Sequence, residues 1–250
     1  MMRSLWTAAS GMRAQQVNVD TIANNVANIN TIGYKSQQAS FKSLLYQNLQ
    51  STSTNNAGEN KPVAAEVGLG SRVAAITSTF TQGNLTHVEN PFSVALEGDG
   101  FFQIRTESGE LQYTRDGSFE ISPVANGNML CTSDGNPVLD AYGNQIILPS
   151  NRVATDLVVN QDGTLAFPDG TGNPAVITDA NGRPVKFGIY QFNNPAGLSK
   201  EGSNNYSVTV ASGAAVAENG NAAVKQTKTH QYYTEASNVD VANEMVNLIV

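Results

Sequence analysis

The side chains capable of chemistry in this chain are few and do not cluster. The two histidines, His87 and His230, lie in no nucleophile or metal motif. Cys131 is the single cysteine, so neither an internal disulfide nor a Cys-based zinc site can be built. Paired carboxylates are the remaining catalytic resource: Asp116 with Glu120, or Asp134 with Asp140, are the residue types that perform glycoside hydrolysis. Most acidic residues near glycine, however, belong to Asx-Gly turn dipeptides, and turn formation accounts for them. No Gly-x-Ser-x-Gly elbow, Walker loop or His-Glu-x-x-His helix occurs. Gly68-Leu69-Gly70 and Gly98-Asp99-Gly100 lack the third glycine of a dinucleotide loop, and the Asp-rich loops lack the alternating ligands of an EF-hand. The expectation is a protein with no catalytic residues, no cofactor and no metal. The competing enzyme reading is a secreted β-rich protein acting on cell-wall glycan, whose turnover would depend on one of these carboxylates.

Composition points to contact between proteins instead. The chain has 250 residues, 40% of them hydrophobic, enough for one large or two modest bodies with a core. Only 14% are charged, against about 25% in an ordinary soluble domain. Their place is taken by 28 Asn, 20 Ser and 20 Thr. Such surfaces can meet other protein surfaces without burying ions. A net charge of -7 argues against a nucleic-acid partner, because phosphate affinity comes largely from Lys and Arg. Residues 1–45 are nevertheless basic, with Arg3, Arg13, Lys35 and Lys42 against Asp20 alone. The apolar stretches fall far short of the roughly 18 residues of a membrane helix, so no membrane span is expected. Gly11 and Arg13 interrupt the N-terminal apolar region before it reaches signal-peptide length.

Three kinds of element must position these residues. With Leu5 at heptad position a, Leu5, Met12, Val19 and Val26 fall at a, and Ala8, Gln15, Ile22 and Ile29 at d. The period predicts a coiled-coil helix over residues 5–29, with Asn24, Asn25, Asn28 and Asn30 off the seam and Thr31-Ile32-Gly33 ending it. Residues 50–61 lose nearly all large apolar side chains and read as a linker or exposed loop. From about Gly68 to Thr229, short runs rich in Val, Ile, Phe and Tyr alternate with Asx-Gly turn signals at Asp99, Asp116, Asn126, Asp134, Asp162, Asp169, Asn181 and Asn219. Phe101 to Ile104, Asp156 to Asn160 and Val185 to Tyr190 are the expected inner strands. Ser237-Asn238-Val239-Asp240 has the spacing of a capping box, after which Val241, Met245 and Leu248 form one apolar face. That face is still open at Val250, which predicts either further residues or a partner. The fold class is mainly β with terminal α-helices: a β-rich central domain between N- and C-terminal coiled-coil helices. Its expected parts are 1–46, an N-terminal assembly and export segment; 47–67, a polar extended linker; 68–229, the β-rich domain; and 230–250, the start of a C-terminal assembly helix.

Ser4-Leu5-Trp6-Thr7-Ala8-Ala9-Ser10-Gly11-Met12, Ile22-Ala23-Asn24-Asn25-Val26-Ala27-Asn28 and Thr31-Ile32-Gly33-Tyr34-Lys35 together resemble the N-terminal signature of bacterial flagellar rod and hook proteins. Glu97 to Phe102, Tyr113 to Phe119 and Glu235 to Ile249 are similar to further segments of that family, so the resemblance runs the length of the chain. It implies a non-enzymatic axial subunit, exported unfolded by the flagellar type III apparatus without a cleaved signal, that stacks with copies of itself into a helical tube between adjacent rod proteins and the hook protein. The assembly residues it implies are Leu5, Met12, Val19, Ile22, Asn24, Asn25, Val26, Asn28 and Ile29 of the first helix, packing against Val241, Met245 and Leu248 of the last. Family members usually continue further at the C-terminus. Unpartnered heptads gain too little burial to offset roughly 1 to 2 kcal/mol of backbone entropy per residue, so residues 1 to about 35 are expected to be disordered in a monomer.

Overall fold

Heptad periodicity at one end of the chain and period-two runs in its middle produce a mainly β protein with a helix near each terminus. The computed structural model describes residues 2–50, 65–125, 127–168, 174–179, 182–221 and 224–249. Most of the polar stretch assigned to the linker, the Asp169-Gly170 turn, Asn126, Asn181 and Val250 lie outside the described residues. The chain divides into two compact units. Unit 1 combines Met1–Ala27, Gln37–Thr79 and Asp240–Val250, and unit 2 combines Asn28–Ser36 with Phe80–Val239.

Unit 1 holds α1 (Met2–Ala27), β1 (Gln37–Ser43), β2 (Tyr46–Gln50), β3 (Ala65–Gly68), β4 (Ser71–Ser78) and α2 (Val241–Ile249). β1 pairs antiparallel with β4, Gln37 opposite Ser78 and Ser43 opposite Ser71, with a shift of register at Ser40/Phe41. β2 pairs with β3, Tyr46 opposite Gly68. Leu44 N donates to Gly70 O (2.8 Å) and Leu69 N to Leu45 O (3.2 Å), which joins the two ladders into one long two-stranded arm. α1 packs on β1 and β4. It stops at Ala27, earlier than the heptads predict, because Asn28 turns the chain: its backbone carbonyl accepts from Thr31 N, and its side chain accepts from the Thr31 hydroxyl.

Unit 2 is built around a six-stranded antiparallel sheet in the order Ser199–Gly202, Asn205–Ser207, Leu111–Thr114, Phe101–Arg105, Ile189–Gln191, Val216–Ala217. Neighbouring residues on a strand point to opposite faces, so Phe101 and Phe102 anchor different clusters. Phe102 and Ile104 pack with Leu96, Phe119, Leu130, Val138 and Phe187. Phe102 meets Phe119 edge-on at 5.0 Å and Phe187 at 5.4 Å. Phe101 packs instead with Tyr113, Phe192 and Tyr206. Two further pairs bring the C-terminal part of unit 2 home: Lys228–Gln231 beside Val94–Glu97, and Tyr233–Glu235 beside Leu85–His87.

The turn signals divide by cause. Gly135, Gly163 and Gly220 close turns at positive φ, as their Asx-Gly dipeptides predict. Asp116-Gly117 makes no hairpin: a Cβ on Gly117 would collide with the Val94 carbonyl, so closeness of backbone selects that glycine. The hairpin between Ser199–Gly202 and Asn205–Ser207 turns on Ser203 and Asn204, both at positive φ, a turn that no Asx-Gly search finds. Among the expected inner strands, Phe101–Arg105 is central. Asp156 to Asn160 yields only the two-residue strand Val158–Val159 after a 3-10 turn, and Val185 to Tyr190 becomes a strand only at Ile189–Gln191.

Candidate functional site

α1 presents two different faces. The one turned inward in unit 1 carries Thr7, Ser10, Ala14, Val17, Thr21 and Asn25, all buried or half-buried. On the heptad numbering that starts at Leu5, these are mainly positions c and f, on the opposite side of the helix from a and d. They are small or polar, so the helix can lie close to the strands. Gly70 meets Ser10 there, with the Ser10 hydroxyl crowding the place a Cβ would occupy. The hydroxyls of Ser10 and Thr21 turn back onto the carbonyls of Thr7 (2.8 Å) and Val17 (2.7 Å), which satisfies them on the packed face.

The a/d seam is left outside. Leu5 and Met12 are each 68% exposed, and Val19 is exposed as well. Ile22 is buried, while Val26, Asn28 and Ile29 are half-buried and Asn24 is exposed. Asn25 departs most from expectation. Instead of facing outward off the seam, it is buried and stitches unit 1 together: its Nδ2 donates to Gln37 O and to Glu244 Oε1, both at 2.8 Å, and its Oδ1 accepts from Gln37 N at 2.9 Å.

α2 has no buried residue, so Val241, Met245 and Leu248 are exposed, Met245 by 54%. Its cap is displaced from the predicted one. Asp240, not Ser237, receives the first helical amides, through Oδ1 from Ala242 N (3.0 Å) and Asn243 N (3.4 Å). A carboxylate in this place also faces the positive end of the helix dipole, which makes it the better of the two candidates.

In unit 2, the predicted signature segments converge on a buried ionic cluster. Lys35, Arg115 and Glu235 are all almost completely buried. Lys35 Nζ donates to Glu235 Oε1 (2.6 Å) and to Thr81 O (2.8 Å). Arg115 reaches Glu235 Oε2 (3.3 Å) and Gly98 O (2.6 Å), with its guanidinium over the Phe101 ring at 5.0 Å. Gly83 N donates to Glu235 Oε1 (2.9 Å), and Gly33 N to Glu235 O (2.8 Å). Gly33 has φ +68°, and a Cβ there would press on the backbone of Arg115 and Asp116, so only glycine fits. Asn238 completes the arrangement: its Oδ1 accepts from Ser36 N (2.7 Å), and its Nδ2 donates to the Thr81 hydroxyl (2.9 Å).

Burial lowers the proton affinity of Lys35 below the usual lysine value, the Glu235 charge pulls it back up, and Arg115 pushes it down again. Burial also drives Tyr206, beside this cluster, up to about 12. Residues 28–36 are thus bonded within unit 2, and residues 2–27 are helical. Polar anchoring through Gly33, Lys35 and Ser36, not apolar burial, holds the segment that follows α1. Sequence motifs alone do not mark this cluster. Its signal was the presence of Lys35, Arg115 and Glu235 inside signature segments of a charge-poor chain.

Of the groups first considered for chemistry, His230 lies in a surface pair with Glu97 (2.7 Å), and His87 packs against Tyr233. Asp116 and Asp140 bond within their own turns, Asp116 to Ser118 and Asp140 to Tyr142 and Asn144. Burial holds the Asp116 carboxyl above the ordinary carboxylate range.

The chain thus folds a β body in unit 2 and, in unit 1, a helix whose Leu5, Met12 and Val19 stand exposed, and known proteins say what class of molecule is built this way. Residues 5–35 match the family described as flagella basal body rod protein, and residues 95–167 match the flagellar hook protein FlgE/F/G D1 domain. The flagellar basal-body rod protein FlgG of Borreliella burgdorferi is 40% identical over 100% of this chain and 89% of that protein. FlgG of Caulobacter vibrioides is 35% identical over 99% and 89%. The flagellar hook-basal body complex protein FlhP of Bacillus subtilis is 32% identical over 100% and 90%. The chain belongs to the flagellar basal-body rod protein family, and it is a structural subunit of the rod.

Proposed function

We infer that this subunit forms the distal rod, where copies stack helically into a hollow shaft that carries motor torque to the hook and passes exported subunits. One observation carries the reading: α1 is held in unit 1 by its c/f face, so Leu5, Met12 and Val19 of the a/d seam stand uncovered, as do Val241, Met245 and Leu248 of α2. Burying each such side chain against a neighbouring copy is worth roughly 1.5 to 3 kcal/mol. Few charged groups lie on these surfaces to oppose it. Coiled-coil packing of terminal helices from neighbouring subunits is the form this contact takes, with half-buried Val26 extending the seam and Asn24 at its margin; Ile22 is already buried at home, and Asn28 and Ile29 lie beyond the end of α1. In this reading, unit 1, with its α1, α2 and strand arm, supplies the assembly segments, and unit 2 forms the β body, so the boundaries at 46/47, 67/68 and 229/230 expected from the sequence move to the crossings between the units. The partners are copies of the chain, adjacent rod proteins, the hook protein, and the type III apparatus that exports the subunit without a cleaved signal. The protein acts by assembly and performs no catalysis.

The test is Val19→Asp, which puts a charge into the seam. Cells carrying it should build no rods, while the purified full chain keeps the near-ultraviolet dichroism of unit 2. Normal rods would refute the seam. The full-length similarity to FlhP favours a second reading, a hook-like paralogue, and complementation of strains lacking either protein separates the two.

A further inference from the structure

The polypeptide passes between units 1 and 2 at Ala27/Asn28, Ser36/Gln37, Thr79/Phe80 and Val239/Asp240. Inside unit 2, the residues next to three of these crossings are bound to one another. Ser36 N reaches Asn238, Asn238 reaches Thr81, and Lys35 reaches both Thr81 and Glu235. The loop between the first two crossings is held at Gly33 by the Glu235 carbonyl and at Ile32 by the Asn204 side chain, which donates to the Ile32 carbonyl at 2.7 Å. We propose that Lys35, Glu235 and Asn238 form a clamp of positioning residues, which fixes within unit 2 three of the four points where the chain crosses to unit 1, those of segments 37–79 and 240–250, and thereby sets whether unit 1 can assemble.

Two features require such a device. Unit 1 is made of three separated segments and, among its described residues, buries only Ala14 and Ile22 as apolar side chains, too little to select a single arrangement unaided. A buried ion pair adds little net stability compared with an apolar replacement, but its charges are satisfied in one geometry only. Lys35 finds its partners only with the loop at Thr81 and the strand at Glu235 both in place. An apolar side chain would tolerate neighbouring registers.

The clamp depends on the assembly reading only through its cellular readout. Its test uses the full chain with Lys35→Met, which leaves Glu235 paired with Arg115, and with Asn238→Ala, which leaves the buried cluster whole. Amide exchange at residues 32–36 and 237–239 should quicken roughly tenfold or more in each variant, with the rest of unit 2 as slow as before. Rod formation in cells should fall in both. Unchanged exchange at those residues in both variants would overturn the proposal, as would quickening spread evenly over unit 2 or normal rods from loosened chains. If Val19→Asp also builds normal rods, the seam is wrong, and the exchange result still decides the clamp.

Discussion

Units 1 and 2 handle their apolar residues in opposite ways. Unit 2 buries rings and branched side chains from many short strands into two clusters, and even its ions lie inside. Unit 1 uses small residues, an asparagine and a carboxylate cap for its internal contacts, and shows Leu5, Trp6, Met12, Leu45, Leu49 and Ile249 at its surface. A protein that must persist alone follows the first scheme. The second suits a surface completed by other molecules, since exposed apolar area has little other use in a charge-poor protein. The difference teaches where each kind of substitution will act: changes in the core of unit 2 alter stability, changes on the surface of unit 1 alter assembly, and only at the clamp residues Lys35 and Asn238 should a change in unit 2 reach assembly.

The largest expected effect breaks unit 2. Glu235→Gln leaves Lys35 and Arg115 as two buried cations without a counter-charge and should cost about 3 to 5 kcal/mol, read as a fall in the melting temperature of unit 2. Alkali should come next. Tyr206, at about 12 in the folded state against 10 when unfolded, contributes stability that is complete below pH 10 and is lost as pH rises toward 12, about 2 to 3 kcal/mol in all. Burial raises Tyr113 and Tyr190 in the same direction. Lys35 has the opposite sign, because its folded value is depressed and the cost of charging it is relieved as pH approaches 10.5. Denaturant midpoints across pH 9 to 12 measure the sum, and Tyr206→Phe should shrink the decline.

Asp240→Ala removes the cap of α2 and should weaken that helix by about 1 kcal/mol, seen as faster amide exchange at 242 and 243 without change in unit 2. Smallest of all for the monomer, Met12→Asp should change stability by less than about 0.5 kcal/mol, because the side chain already stands in water. Loss of monomer stability there would erase the contrast between the units.

Much of this was legible in local pattern. The period of α1, the strand at Phe101 to Ile104 and the apolar face of α2 are each set by neighbours along the chain. What escaped depends on distant partners. The heptads name a seam but not the c/f face that packs at home, because small polar residues signal nothing until strands lie beside them. Ser237 and Asp240 are both competent caps, and the choice falls to Asp240 because the bonds that hold Asn238 to Ser36 and Thr81, remote in sequence, keep the chain extended until the amides of Ala242 and Asn243 reach Asp240. Gly117 reads as a turn because the carbonyl of Val94 that forbids a side chain there is remote in sequence. Lys35, Arg115 and Glu235 are charges that a reading by residue type places at the surface, and three-way pairing is what allows their burial.

The central claim, that the uncovered seam of α1 and face of α2 are closed by neighbouring copies, is tested most directly by oxidising methionines in monomer and in assembled rods and reading each site by mass spectrometry. Met12 and Met245 are exposed in the single chain, and Met129, half-buried in unit 2, serves as the internal reference. The account predicts that Met12 and Met245 oxidise readily in the monomer and are protected in the rod, with Met129 unchanged. Equal oxidation of Met12 and Met245 in both forms would contradict it.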